Sequence, residues 1–167
     1  GNYLRYSFNG IFPTTGIYCD ERIDPNRWQK ISRDLGLQLK DYRSNGNHIL
    51  LCLQRNGGWS MGGVDVVKWA KDIITELRKY TDRHIVVRAH PGDKASLKYL
   101  AGSKWNVSND GRSLEQDLQN CWAVVNYNSS PVVGAAIEGY PIFVTDPARS
   151  QCREIANTDL SQIENPT

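Results

Sequence analysis

Short apolar runs alternate with helix-like segments from His48 to the end of the chain, and this alternation most limits the possible folds. Continuous apolar runs are typical of strands that are buried on both faces of a parallel sheet. The helices between such strands cover the two faces. The sequence therefore predicts a doubly wound parallel sheet of the Rossmann-like α/β class over residues 48–167. The predicted strands are 48–54, 84–89, 122–128 and 140–145, with a weaker one at 104–108.

Helical signals fill the intervals between these strands. In the segment 64–80, apolar residues recur every three or four positions, which indicates an amphipathic helix. Ser113 and Gln116 have the spacing of a capping box. Ser130 is a suitable N-cap, and Pro131 fits the first helical position. The predicted helices are 64–80, 94–102, 113–121, 129–139 and 146–156.

Residues 1–47 have a different character, because turn-forming residues interrupt them at short intervals. We expect an irregular N-terminal extension with one helix at about residues 25–35. Asp24 would cap this helix, and Gly36 would end it.

Cysteine usage and charge narrow the functional classes. The four cysteines, which contain no C-x-x-C pair, are Cys19, Cys52, Cys121 and Cys152. We expect reduced thiols in a cytoplasmic protein, rather than disulfides or a zinc site, and no metal site is predicted. A formal net charge of +2 is too small to indicate nucleic-acid binding. No apolar run approaches the roughly 20 residues of a membrane span.

Four polar clusters follow the predicted strands. They are "QRNGGWSMGG" (54–63), "RAHPGD" (88–93), "NYNSSP" (126–131) and "TDPARS" (145–150). The carboxyl ends of parallel strands share one edge of the sheet, and ligands of open α/β folds bind in the crevice outside that edge. We therefore expect these clusters to converge on one site.

The cluster at 88–93 predicts phosphate binding. Arg88 can donate two hydrogen bonds to phosphate oxygens, and His90 can bind a phosphate or exchange a proton near neutral pH. The alternative is structural: Arg88 pairs with Asp93, and a carbonyl group satisfies His90.

The other clusters supply further candidates. A helix N-terminus favours anions, and Ser129 and Ser130 add hydroxyl groups there; the alternative is that Ser130 only caps the helix. Gln54, Arg55 and Ser60 are donors beside glycines that let a ligand approach the backbone, although a flexible loop would have the same composition. The candidate substrate-binding residues are Gln54, Arg55, Ser60, Arg88, His90, Asn128, Ser129, Ser130 and Glu138, with His90 as the catalytic candidate.

The motifs His90-Pro91, Ser129-Ser130 and Gly139-Tyr140-Pro141 resemble the carboxyl-terminal half of GT-B glycosyltransferases, in particular the capsule-polysaccharide and Kdo-transferase-like group. The resemblance covers about residues 48–146. It implies that His90, Ser129 and Ser130 contact the phosphates or the sugar of a nucleotide-activated donor. The group usually carries an acid one turn into the Ser-Ser helix, where this chain has Gly134.

The resemblance also implies partners. GT-B catalysis takes place between two Rossmann-like domains, and about 47 irregular residues are too few to form the first of them. We expect a preceding domain or a second chain to complete the cleft, unless the chain is a compact variant. The implied donor is a nucleotide sugar, with a glycan or lipid-linked acceptor and no required cofactor.

Three functions fit these features. The first is a glycosyltransferase, in which Arg88, His90 and the backbone N–H groups of Ser129 and Ser130 stabilise charge on the leaving phosphate. The second is a module that binds a nucleotide or an acidic glycan without turnover. The third is a sugar-nucleotide epimerase, which needs more carboxylates than the clusters provide.

Overall fold

The structure, a computed structural model, describes residues 9–10, 15–16 and 24–167. Its centre is a five-stranded, entirely parallel sheet with the strand order β3-β2-β1-β4-β5. The order is that of a doubly wound, Rossmann-like sheet, as the sequence predicts. The strands are β1 (His48–Cys52), β2 (Ile85–Arg88), β3 (Asn106–Val107), β4 (Cys121–Asn126) and β5 (Ile142–Val144).

Helices cover both faces of the sheet. The helices are α1 (Arg27–Leu35), α2 (Val66–Leu77), α3 (Lys94–Ala101), α4 (Leu114–Leu118) and α5 (Pro131–Ile137). Successive residues of β1 enter opposite cores: Ile49 and Leu51 pack with residues of α2 and α3, whereas Leu50 and Cys52 pack with residues of α4 and α5. This two-sided burial explains why the strands are continuous apolar runs in the sequence.

The strand order reverses between β1 and β4, which are neighbours in the sheet but distant in sequence. In open α/β sheets this switch point opens a crevice at the carboxyl ends of the strands. A ligand site is therefore expected between the segments that leave β1 and β4.

The described part of the N-terminal region contains α1 and an extended segment. None of the residues of α1 is buried. The segment after it is hydrogen-bonded to the sheet domain, since Lys40 N–H donates to Ile137 O and Arg43 N–H donates to Gly139 O. The predicted domain boundary at residue 47 stays a prediction. Most of residues 1–23, including Cys19, lie outside the described residues.

Three local predictions are wrong. The segment 146–156 is not an α-helix but a 3-10 turn at Pro147–Arg149 followed by further turns, because the chain must reverse to place Asn157 beside Phe143 at the edge of β5. The Ser130 side chain does not cap α5, since its backbone is already helical. Asp24 does not cap α1, whose N-cap is Asn26; instead Asp24 accepts a hydrogen bond from the Asn26 N–H.

Other local predictions are confirmed. Ser113 and Gln116 form both hydrogen bonds of the capping box at α4. Gly36 ends α1 in the left-handed conformation.

Cys52, Cys121 and Cys152 are free and buried, and burial is the main cause that raises the pKa of the Cys52 thiol to about 12. Among residues 24–167, no helix is long and apolar enough to span a membrane.

Candidate functional site at the carboxyl edge of the sheet

A hydrogen-bond network joins the loops that follow β1 and β4 at the switch point. The Asn128 N–H donates to Gln54 Oε1 at 2.7 Å, and Gln54 Nε2 donates to Ser60 Oγ at 2.9 Å. Asn128 Nδ2 donates to Ser60 O at 2.7 Å and to Asp146 Oδ2 at 2.9 Å. Three of the four predicted clusters therefore meet here, as their common edge requires.

The loop after β1 is anchored by a buried residue of its own and by contacts with other segments. Met61 is fully buried, and Ser60 is bonded on both its hydroxyl and its carbonyl oxygen. Gly62 has a positive φ of 58°, and the Arg149 guanidinium occupies the space that a side chain at position 62 would need. Trp59 is exposed in this loop, with the Arg149 guanidinium carbon 5.9 Å from its ring centroid. These contacts anchor the loop to the segments that follow β4 and β5.

The fourth cluster joins the same edge through Asn56. The Asn56 N–H donates to Asp93 Oδ2 at 2.8 Å, which ties the loop after β1 to the turn after β2. Asp93 also caps α3 and accepts hydrogen bonds from the Ser96 N–H and hydroxyl. Burial opposes ionisation of the Asp93 carboxyl, but these hydrogen bonds outweigh it and lower its pKa.

His90 is an exposed side chain of this turn. Its Nδ1 accepts a hydrogen bond from the Gly92 N–H at 2.9 Å. In the neutral ring, an acceptor at Nδ1 places the proton on Nε2. The turn therefore holds His90 so that Nε2–H is a donor.

Arg88 does not lie where the sequence led us to expect it. Its Nη1 donates to Asp117 Oδ2 at 2.6 Å and to Arg112 O at 2.8 Å. Asp117 also accepts from Ser108 Oγ and Arg112 Nε. The last residue of β2 thus points to the α4 side of the sheet and forms an ion pair there, with Asp117 rather than with Asp93.

Asp117 is the buried centre of this ion-pair cluster. Its side chain is 3% exposed. Burial disfavours its charged form, but hydrogen bonds from Arg112, Ser108 and Arg88 outweigh that cost and lower the pKa of the carboxyl. The cluster stabilises the fold. Its ion pair engages Arg88, which is the cation that the sequence predicts to bind phosphate.

The serines at the start of α5 have different surroundings. Ser129 accepts hydrogen bonds from Asn126 Nδ2 at both its carbonyl and its hydroxyl oxygen, each at 2.8 Å, whereas Ser130 is exposed. Asn126 is fully buried, and its Oδ1 has no partner. The helix they begin has seven residues, Pro131–Ile137, and is shorter than the predicted segment 129–139.

Glu138 is not brought to this edge. It ends α5, and therefore lies toward the amino ends of the strands, where its carbonyl oxygen accepts from Arg43 Nε at 2.8 Å. Gly134 lies on the outer surface of α5, and a Cβ atom there would meet nothing within 4 Å. Arg55, by contrast, is an exposed cation at the carboxyl edge.

Sequence reasoning did not predict the contacts that Asn56, Asp93, Asp146 and Arg149 make at this edge. All four lie in the predicted polar clusters, but nothing in their spacing separates a residue that binds a neighbouring loop from one that faces solvent. Among residues 24–167, no group of three or more His, Cys, Asp and Glu side chains is arranged to hold a metal ion.

Comparisons with known proteins support the fold. No family model matches the chain, and no curated protein sequence matches it. Among solved structures, the chain is similar to Thermosulfurimonas dismutans KpsC, a beta Kdo 2,4 transferase, with a TM-score of 0.54 and 14% sequence identity. The match covers 86% of this chain and 56% of that chain. It shows a distant structural relationship, and the fold of the chain is consistent with one half of the GT-B fold.

Proposed function

We propose that the chain binds a nucleotide-activated sugar at the carboxyl edge of its sheet and serves as the donor-binding half of a glycosyltransferase of the capsule-polysaccharide and Kdo-transferase-like group. The observation that carries the proposal is the Gln54–Asn128 hydrogen bond at the switch point. It joins the two segments that border the crevice where open α/β sheets bind their ligands, and the exposed His90 lies at the same edge.

The charges at this edge favour an anionic ligand. Arg55 and His90 are exposed there, and Arg149 is partly exposed, with its closest carboxylate oxygen, Asp146 Oδ2, at 3.5 Å. That distance is longer than an ordinary charge-assisted hydrogen bond. Asp93 is engaged by backbone and side-chain donors. The edge therefore presents the guanidinium groups of Arg55 and Arg149 and the Nε2–H donor of His90 to a phosphate.

His90 is the proposed catalytic residue. During transfer, the bond between the anomeric carbon and the phosphate oxygen breaks, and the acceptor oxygen forms the new bond to that carbon. The acceptor hydroxyl loses its proton to a base that the partner domain or chain would supply. Negative charge develops on the leaving phosphate oxygen. The Nε2–H of His90 would donate a hydrogen bond to that charge, which stabilises the transition state. The acceptor would be a glycan or a lipid-linked sugar, and a partner domain or chain would complete its site.

A ligand screen tests the proposal. We expect one class among the UDP, GDP, CMP and ADP sugars to raise the unfolding temperature of the chain, because a ligand that binds only the folded state stabilises it. The free sugar is the control and should have no effect. If none of the four classes changes the unfolding temperature at millimolar concentration, the proposal is wrong.

Binding without turnover is the second candidate, and the position of Arg88 favours it. Its ion pair with Asp117 removes one of the cations expected to stabilise the leaving phosphate. The two candidates differ in one measurement on the ligand found by the screen. Release of the nucleotide upon addition of glycan acceptors supports the transferase, whereas tight binding with the nucleotide sugar intact over days supports the binding module.

A further inference from the structure

A cavity of about 460 Å³ lies on the α4 face of the sheet. Val86 of β2 and Asn106 of β3 are register partners, and both line it. Gln116 and Asp117 of α4 line it from the other side. Its volume is that of a small-molecule site. None of the candidate residues at the carboxyl edge lines this cavity, so the two places on the molecule are separate.

The side chains around this cavity have a net positive charge. Among the described residues that line it, Asp117 is the only acid, and Arg112 is a permanent cation. The Asp117 carboxylate is bound by two guanidinium groups, that of Arg88 at 2.6 Å and that of Arg112 at 2.8 Å. One carboxylate therefore stands against two cations, and the excess positive charge favours an anionic ligand.

Arg112 has a donor to offer such a ligand. Its Nε donates to Asp117 Oδ1 at 2.8 Å, and its Nη2 donates to Gln116 O at 3.2 Å. Its Nη1 has no hydrogen-bond acceptor among residues 24–167, and the side chain is 45% exposed. Guanidinium N–H groups bind phosphate and carboxylate oxygens with charge-assisted hydrogen bonds. Arg112 can therefore hold Asp117 and an anion at the same time.

His48 supplies an acceptor beside this cation. Its Nε2 lies 2.9 Å from Asp117 O. A carbonyl oxygen only accepts hydrogen bonds, so Nε2 carries the proton, and the neutral ring has its acceptor at Nδ1. The backbone of Asp117 thus holds His48 while the carboxylate of the same residue holds Arg112. One small ligand can reach both side chains.

Two exposed amide side chains add further polar groups. Asn109 and Gln119 line the cavity, and neither side chain makes a hydrogen bond within residues 24–167. An amide side chain both donates and accepts, and a hydroxyl group does the same. The groups around the cavity therefore suit a ligand that has several hydroxyl groups and one negative charge.

We propose that this cavity binds a monosaccharide that carries one anionic group, with that group on Arg112 and a sugar hydroxyl donating to His48 Nδ1. The anionic group is a phosphate or a carboxylate, since the oxygens of either accept from a guanidinium. Val86 offers an apolar surface to the carbon atoms of the ring. The site shares no residue with the carboxyl edge, so this inference and the proposed function can fail separately.

Proton NMR of the imidazole rings tests the proposal on the 167-residue chain. The probes are glucose-6-phosphate, ribose-5-phosphate and glucuronate at millimolar concentration, and glucose is the neutral control. We expect an anionic probe to shift the ring signals of His48 and to leave those of His90, at the carboxyl edge, unchanged. Comparison of the two phosphates with glucuronate shows which anionic group the cavity takes.

Three results of this titration would overturn the proposal. In the first, none of the anionic probes shifts the His48 signals. In the second, glucose shifts them as much as the anionic sugars do, so that charge plays no part. In the third, only the His90 signals shift, which would place the sugar at the carboxyl edge instead.

Variants test the contacts within the cavity. Arg112→Gln should weaken binding of the anionic sugar at least about tenfold, because hydrogen bonds to charged groups are the strong ones. Arg153→Gln, at an exposed arginine that pairs with Glu154, is the matched control and should leave the affinity unchanged. Since Arg112 also pairs with Asp117, Gln119→Ala is the second variant. It should weaken binding about threefold and leave the free energy of unfolding unchanged. Unchanged affinity in both cavity variants, or an equal loss in Arg153→Gln, would show that the sugar binds elsewhere.

Discussion

The switch point and the turn after β2 have similar polar compositions in the sequence, but the structure uses them differently. At the switch point, Gln54, Asn128 and Asp146 are bonded mainly to one another, so they join the loops that follow β1, β4 and β5. After β2, Arg88 is drawn into an ion pair with Asp117, whereas His90 is left exposed. A polar residue at the end of a strand is thus available to a ligand only if it is not already bonded to another part of the protein.

Removal of the ion pair between Arg88 and Asp117 should have the largest effect on the free energy of unfolding. Asp117→Ala leaves Arg88 and the partly exposed Arg112 without their shared carboxylate, and we expect a loss of about 3 kcal/mol of unfolding free energy. The measurement is urea unfolding at pH 7. Asp72→Ala, which removes an acid from the exposed Lys68–Asp72 pair, is the control and should cost less than about 1 kcal/mol. Equal losses would show that the Asp117 cluster is not a structural centre.

The same cluster makes a pH prediction. The pKa of Asp117 is lowered in the folded protein, so its charged form stabilises the fold above the unfolded pKa of about 3.9. This contribution is lost as pH falls below about 4 through the folded pKa. We expect unfolding free energy to fall less steeply with acid in Asp117→Ala than in the natural sequence. Identical slopes below pH 4 would contradict the lowered pKa.

The switch-point network should have the next largest effect. Gln54→Ala leaves the buried Asn128 N–H and the Ser60 hydroxyl without their partner, and we expect a loss of about 2 kcal/mol. The variant should also lose nucleotide-sugar binding, since the crevice loses its shape. Gln29→Ala on the exposed side of α1 should change stability by less than about 0.5 kcal/mol. If Gln54→Ala leaves the free energy of unfolding unchanged, the network does not hold the loops together.

The smallest effect is expected at α5, away from both regions. Gly134→Ala should raise the unfolding free energy by about 0.5 to 1 kcal/mol, because alanine favours the helix and the added Cβ has open space. Gly139→Ala is the matched test at the end of the same helix. Its φ is 84° and a Cβ would collide with the Asp41 carbonyl oxygen, so this change should be destabilising. Stabilisation by both variants would contradict the described course of residues 40–43.

The sequence predicts the sheet well because burial on both faces leaves a strong pattern. The runs around Leu50 and Val124 read as strands since both of their faces enter a core, and the capping box at Ser113 is a local signal that the structure confirms. The turns after β5 were not predictable from local pattern, because Asn157 must return to Phe143 by a long-range backbone contact.

The convergence of the clusters follows from parallel topology, but individual contacts do not. That Asn128 would bond to Gln54 rather than to a ligand, or that Arg88 would turn toward α4, depends on which partner lies across the sheet. Asp117 lies 29 positions from Arg88 in the sequence, so no local spacing relates them. The sequence therefore predicts where the polar clusters meet more reliably than which side chains bond to one another there.

The most direct test of the ligand site is calorimetric binding of the nucleotide sugar found by the screen to His90→Ala and to His84→Ala. His90 follows the carboxyl end of β2, and His84 precedes its amino end; both are exposed. We predict that His90→Ala weakens binding at least about tenfold, or roughly 1.4 kcal/mol, while His84→Ala binds as the natural sequence does. Unchanged affinity in His90→Ala, or equal losses in both variants, would contradict a site at the carboxyl edge.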